Sequence, residues 1–143
     1  MQAITTRQAA AALLGAAAGM RTFTPPAALA VRGTLTADER IRRAVLLAAA
    51  GELIADKLPW VPARTEPLPL LGRMTSGALC GWRVAGAAGV APGAGAAALS
   101  TLLAYRARAA ATRVGGAPDL PVALLEDLIA VSAATLATVV ARR

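Results

Sequence analysis

Apolar residues run in long blocks along this chain, and the short polar stretches between them carry helix signals. Thr5-Thr6-Arg7-Gln8 has the spacing of a capping box, with Thr5 able to bond the third helical amide and Gln8 able to reach back. It predicts a first helix ending near Met20. The segment Arg21-Thr22-Phe23-Thr24-Pro25-Pro26 then breaks it, because each proline removes a donor and disfavours helix in the residue before it. Thr24 is placed to cap a short second piece, with Pro25 at its first position and Gly33 as its stop. The expected product is a discontinuous helix interrupted over residues 21–26.

A second capping box, Thr36-Ala37-Asp38-Glu39, opens the next helix, and Asp38–Arg42 and Glu39–Arg43 are spaced to pair across one turn. That helix continues through Ala44–Leu58 until Pro59 stops it. Residues 59–69 hold four prolines and predict a stiff loop, with Trp60 suited to the lipid headgroup level. A third helix is expected over about 70–91, divided from a fourth over about 94–113 by Pro92-Gly93. The last should start at Asp119, tolerate Pro121 in its first turn and reach Arg142. Strand-like alternation appears nowhere, so the fold class is all-α: a membrane bundle of about five helical segments in a single domain, residues 1–143.

Composition moves this pattern into lipid. Apolar residues make up 57% of the chain, mean hydropathy is +0.57, and 39 positions are alanine while aromatics are only 3%. A water-soluble core of this size leans on large rings for burial. Helices packed in lipid rely on small residues instead, and Gly15–Gly19, Gly77–Gly81 and Gly89–Gly93 have the GxxxG spacing. The third straddles Pro92 and is discounted. No segment is a clean uncharged span of about 20 residues. Val84–Tyr105 is uncharged but carries Pro92-Gly93, and the other apolar blocks carry Glu52, Arg83 or Glu126. A polar group facing lipid costs roughly 2.5–3.5 kcal/mol on insertion scales, so these charges must face one another.

Charge and reactive groups narrow the function. The balance of +7 comes from 14 arginines and a single lysine, scattered between apolar blocks with almost no aromatic surface, a pattern unlike a nucleic-acid binder. With no histidine and one cysteine, Cys80, a zinc site, an internal disulfide and a Ser/His or Cys/His catalytic pair are excluded; no cofactor and no catalytic residue is expected. Arg7, the run Ala9–Met20 and Ala28-Leu29-Ala30 imitate a signal peptide, but Arg21 and the two prolines make its tail over-long.

The candidate site is the set Arg21, Thr24, Glu52, Asp56, Lys57, Arg73, Glu126 and Asp127, read as a buried polar cluster contacting a substrate or ion. Glu52 and Asp56 lie one turn apart on one helix face, where like charges in a low-dielectric setting need cations, or one carboxyl stays protonated. Asp127-Leu-Ile-Ala echoes Glu52-Leu-Ile-Ala, and Gly72-Arg73-Met-Thr75 echoes Gly19-Met-Arg21-Thr22, as an internal duplication would leave them. Broken helices in transporters aim their termini at ions in this way. A transporter or channel-like bundle is therefore the first reading, beside a structural membrane module and a membrane-embedded enzyme on lipids. Lipids and a second copy of the chain are the expected partners. With five spans, Arg7, Arg64, Arg73, Arg106, Arg108 and Arg113 fall on one side and Arg32, Arg40, Arg42, Arg43, Arg142 and Arg143 on the other. That even split predicts dual topology and an antiparallel homodimer.

Gly19-Met-Arg21-Thr-Phe-Thr-Pro25, Glu52-Leu-Ile-Ala-Asp56-Lys57-Leu-Pro59, Pro69-Leu-Leu-Gly-Arg73-Met-Thr-Ser-Gly77-Ala-Leu and Leu125-Glu126-Asp127 together resemble the bacterial membrane family catalogued as domain of unknown function 4126. The resemblance covers nearly the whole chain. It implies a multi-pass protein of the inner (plasma) membrane and supplies no activity.

Overall fold

The computed structural model describes residues 2–55, 66–114, 116 and 118–142. Among these the chain is helical, with no strand: α1 (Gln2–Met20), α2 (Thr24–Val31), α3 (Glu39–Ala55), α4 (Pro67–Ala85), α5 (Val90–Ala109) and α6 (Asp119–Val140). A 3₁₀ turn over Gly86–Gly89 joins α4 to α5, and a π-helical turn over Ala110–Val114 extends α5.

Several boundaries differ from the sequence reading, each for a local reason. α1 is already helical at Gln2, so Thr5 and Gln8 lie inside it and do not cap it. Its interruption is short, residues 21–23, because Pro25 and Pro26 sit in the first turn of α2, where their missing donors cost nothing. Thr24 is the first helical residue of α2, not its cap. α3 is capped by Asp38, whose carboxylate accepts from the Arg40 amide at 2.8 Å, while Thr36 accepts from the Asp38 amide. Glu39 pairs with both Arg42 and Arg43. α4 starts earlier than expected, with Pro67 and Pro69 in its first turn. The α4–α5 division falls at Gly86, whose φ of +61° suits glycine, and not at Pro92, which lies in the first turn of α5.

Small residues set how close the helices come. A side chain at Gly77 or Gly93 would strike the backbone of the other, and Gly81 and Gly89 oppose each other in the same way. The Gly89–Gly93 spacing therefore packs α5 against α4, contrary to its discounting. Gly15 and Gly19 of α1 meet α5 at Gly93 and at Ala97–Thr101. The interior is mostly alanine: Ala10, Ala11, Ala17, Ala18, Ala97 and Ala130 are fully enclosed, and among the described residues Leu14 and Leu29 are the only buried leucines. Large apolar side chains point outward instead, among them Leu47, Ile54, Leu79, Leu99, Leu128 and Leu136. Two helical stretches, Pro67–Arg113 and Leu120–Val140, are long and apolar enough to cross a membrane. Only 28% and 33% of their apolar windows are buried inside the protein, whereas a helix at the centre of a water-soluble core is mostly buried.

The broken helix reverses direction. Leu14 of α1 and Leu29 of α2 share one buried cluster with Cys80 and Ala137, which a chain continuing straight past Met20 could not achieve. α2 thus returns toward the start of α1. α3 runs back beside it, with Arg42 donating to the Ala30 carbonyl and Glu52 reaching Thr22 and Phe23. Arg7 and Arg32 consequently lie at the same end of the bundle, lining one pocket with Arg83 and Arg142. This corrects the even division of arginines, which had assumed that α1 and α2 form one span.

Candidate functional site

A break in a helix strands backbone groups: carbonyls at the end of the first half and amides at the start of the second. Where that happens inside a bundle, each must find a partner. Here the partners come from three other helices, α3, α4 and α5. The carboxylate of Glu52 on α3 accepts from the Thr22 amide at 2.6 Å and the Phe23 amide at 2.8 Å, one oxygen to each. It sits at the positive end of α2, where a negative charge is favoured. On the other side of the break, the Gly19 carbonyl accepts from Arg73 Nη1 of α4 at 2.7 Å and from the Thr101 hydroxyl of α5 at 3.0 Å. A cation at the end of α1 likewise complements the negative end of that helix. Ser76 of α4 donates to the Thr22 carbonyl at 2.6 Å.

Arg21 stands at the turn itself and is completely enclosed. Its guanidinium meets the Asp127 carboxylate of α6 through both Nε and Nη2, in a charge-assisted pairing. Two guanidiniums and two carboxylates therefore converge on residues 19–23, and their formal charges cancel. The group clasps α1, α2, α3, α4, α5 and α6 at one level.

Four of the eight candidate residues, Arg21, Glu52, Arg73 and Asp127, meet in this clasp. Their partners differ from the simplest expectation: Arg21 takes Asp127, while Glu52 takes backbone amides and not a guanidinium. Thr24 is buried beside the clasp and lines a groove between α2, α3 and α6. Glu126 is not part of the clasp. It turns away from its neighbour Asp127 to face Arg108 of α5 at 3.6 Å. Asp56 and Lys57 lie outside the described residues. Ser76 and Thr101 were missed by the sequence reading. The available signal was a hydroxyl within an otherwise alanine, glycine and leucine stretch, as Ser100-Thr101 is in α5.

The clasp borders a groove of about 560 Å³ between α2, α3 and α4, lined by Thr22, Phe23, Thr75 and Ser76 at the clasp end and by Leu35 and Ile41 farther along. Among the described residues no group of three or more His, Cys, Asp or Glu side chains is arranged to hold a metal ion. No family model matches this chain, and no curated protein or solved structure is found similar to it.

Proposed function

We propose that the chain is a multi-pass protein of the bacterial inner membrane, related to the family its motifs resemble, and that it passes protons across the bilayer through the clasp. The membrane part rests on the inverted distribution of side chains, small inside and large apolar outside, in a chain with two stretches able to cross lipid. Among the described residues Arg7, Arg32, Arg40, Arg42, Arg43, Arg83 and Arg142 gather at one end, and Arg106, Arg108 and Arg113 at the other. The richer end belongs in the cytoplasm by the positive-inside rule, which carries the start of α1 and the end of α6 there and replaces dual topology with one orientation. A fusion of fluorescent protein to the C-terminus should be bright and membrane-bound, and one of periplasmic phosphatase silent. Comparable signals from both reporters, or recovery as a soluble monomer without detergent, overturns this reading.

The transport part is carried by one observation: two enclosed arginines, Arg21 and Arg73, meet two half-buried carboxylates, Glu52 and Asp127, at a helix break beside a cavity, a setting typical of proton and ion relays in membranes. A proton added to Glu52 removes the negative charge that holds the Thr22 and Phe23 amides and loosens the start of α2. The alternative of a structural module is favoured by a different fact, that the amides of Thr22 and Phe23 and the carbonyl of Gly19 already have partners within the chain. Proteoliposomes containing a trapped pH-sensitive dye distinguish the two. Under a valinomycin-imposed potassium potential, the wild type should acidify faster than protein-free vesicles and Glu52→Gln should not. Wild-type rates equal to those of empty vesicles leave the structural module standing.

A further inference from the structure

At the arginine-rich end, Arg7 of α1, Arg32 at the end of α2, Arg83 of α4 and Arg142 at the end of α6 line one pocket of about 230 Å³. No acidic residue lines it among the described residues. The acids nearest in sequence are committed elsewhere, Asp38 to capping α3 and Glu39 to Arg42 and Arg43. Helix dipoles do not balance the charge. α2, α4 and α6 all end here, and three helix C-termini contribute roughly half a negative charge each, against four guanidiniums and the positive start of α1. Arg83 already donates to the Thr34 carbonyl at 2.6 Å, and the lining as a whole still carries an excess of positive charge that an anion would complement.

Its surroundings identify the source of that anion. A groove of about 390 Å³ between α2, α3 and α6 shares Arg32 and Thr138 with the basic pocket and is otherwise walled mainly by Ala27, Ala28, Val31, Leu53 and Val131. It follows α2 from Arg32 to Thr24, a distance of about 12 Å at the α-helical rise. The 560 Å³ groove on the other side of α2 shares Arg83 with the same pocket. Two apolar channels thus flank α2 and converge on one cluster of cations. A free phosphate uses neither channel; a two-chain phospholipid uses both.

We propose that this end of the bundle binds an anionic phospholipid of the cytoplasmic leaflet, with its phosphate among Arg7, Arg32, Arg83 and Arg142 and its acyl chains along the grooves beside α2. Basic pockets between membrane helices on the cytoplasmic side recognise anionic head groups in this manner. The inference rests on the membrane reading and does not require proton movement; one of its two acyl channels is the groove that the clasp borders.

Native mass spectrometry and thermal unfolding of the detergent-purified chain test it, with phosphatidylglycerol, phosphatidylcholine and inorganic phosphate added separately. Phosphatidylglycerol should leave a persistent adduct and raise the melting temperature, and the other two should do neither. Each basic side chain at an anionic surface is worth roughly a five-fold change in affinity, so Arg32→Gln/Arg83→Gln should bind phosphatidylglycerol roughly thirty-fold more weakly. Arg7→Gln, on the exposed face of α1, should give a roughly five-fold loss even if the double variant fails to fold, and Arg40→Gln should change nothing. Equal effects of the two lipids, an equal effect of phosphate, or full binding by Arg7→Gln overturns the proposal. A chain that needs no detergent fails the membrane reading first, before any lipid is added.

Discussion

Arg21→Ala should cost the protein more stability than any other single charge removal. Arg21 is fully enclosed and its partner Asp127 is only 15% exposed, so the substitution takes the Arg21 guanidinium away from a carboxylate that meets little water. Breaking such a pair from one side typically costs about 3–5 kcal/mol. Arg42→Ala is the control: its pair with Glu39 is solvated on both sides, 35% and 54% exposed, and pairs of that kind are worth about 0–1 kcal/mol. Thermal unfolding in detergent should therefore show a large drop for Arg21→Ala and little change for Arg42→Ala. A second arm separates pairing from packing. Arg21→Met combined with Asp127→Leu removes both charges and should recover most of the loss, since an apolar replacement of a buried pair is often neutral. Small, equal effects from Arg21→Ala and Arg42→Ala mean that Arg21 reaches water and that no clasp exists.

The sequence was informative about this site because charge inside an apolar block is expensive and therefore conspicuous. Arg21, Glu52, Arg73 and Asp127 stand out against alanine and leucine, and two prolines mark the break they serve. Their pairing was not legible. Glu52 and Asp127 head similar tetrapeptides, yet one caps backbone amides and the other holds a guanidinium, because α2 folds back along α1. That reversal depends on which face of α2 finds Leu14 and Ala137, a tertiary fact that a short stretch of Ala, Leu and Pro does not encode locally. The same reversal decides on which side Arg32 lies, and with it the topology. Glu126 shows the opposite failure: adjacency to Asp127 suggested a shared role, but neighbours on a helix point about 100° apart and so reach different helices. Pro92 was misjudged because a proline in the first turn starts a helix as readily as a later one ends it.

Gly93 and Gly95 provide the second large effect, and it is a difference in sign. Both lie in α5 two residues apart, so an alanine at either brings a similar gain in helix propensity, about 1 kcal/mol. Their surroundings differ completely. A methyl group on Gly95 meets nothing within 4 Å, whereas one on Gly93 runs into the Gly77 backbone, which has no side-chain rotamer by which to yield. Overpacking of this kind costs about 1–3 kcal/mol, and more where two backbones must part. Gly95→Ala should accordingly raise the melting temperature slightly and Gly93→Ala should lower it. Gly77→Ala should behave like Gly93→Ala, since its added Cβ would stand 2.5 Å from the Gly93 carbonyl oxygen and 3.0 Å from the Ala97 methyl. Because both positions press on one contact, the double variant should cost less than the sum of the two. Leucine in place of alanine sharpens the contrast: Gly93→Leu should abolish the folded bundle in detergent, while Gly95→Leu adds one more apolar side chain to an exterior already made of them. If the 93 and 95 variants shift stability in the same direction, α4 and α5 do not meet along the glycine seam.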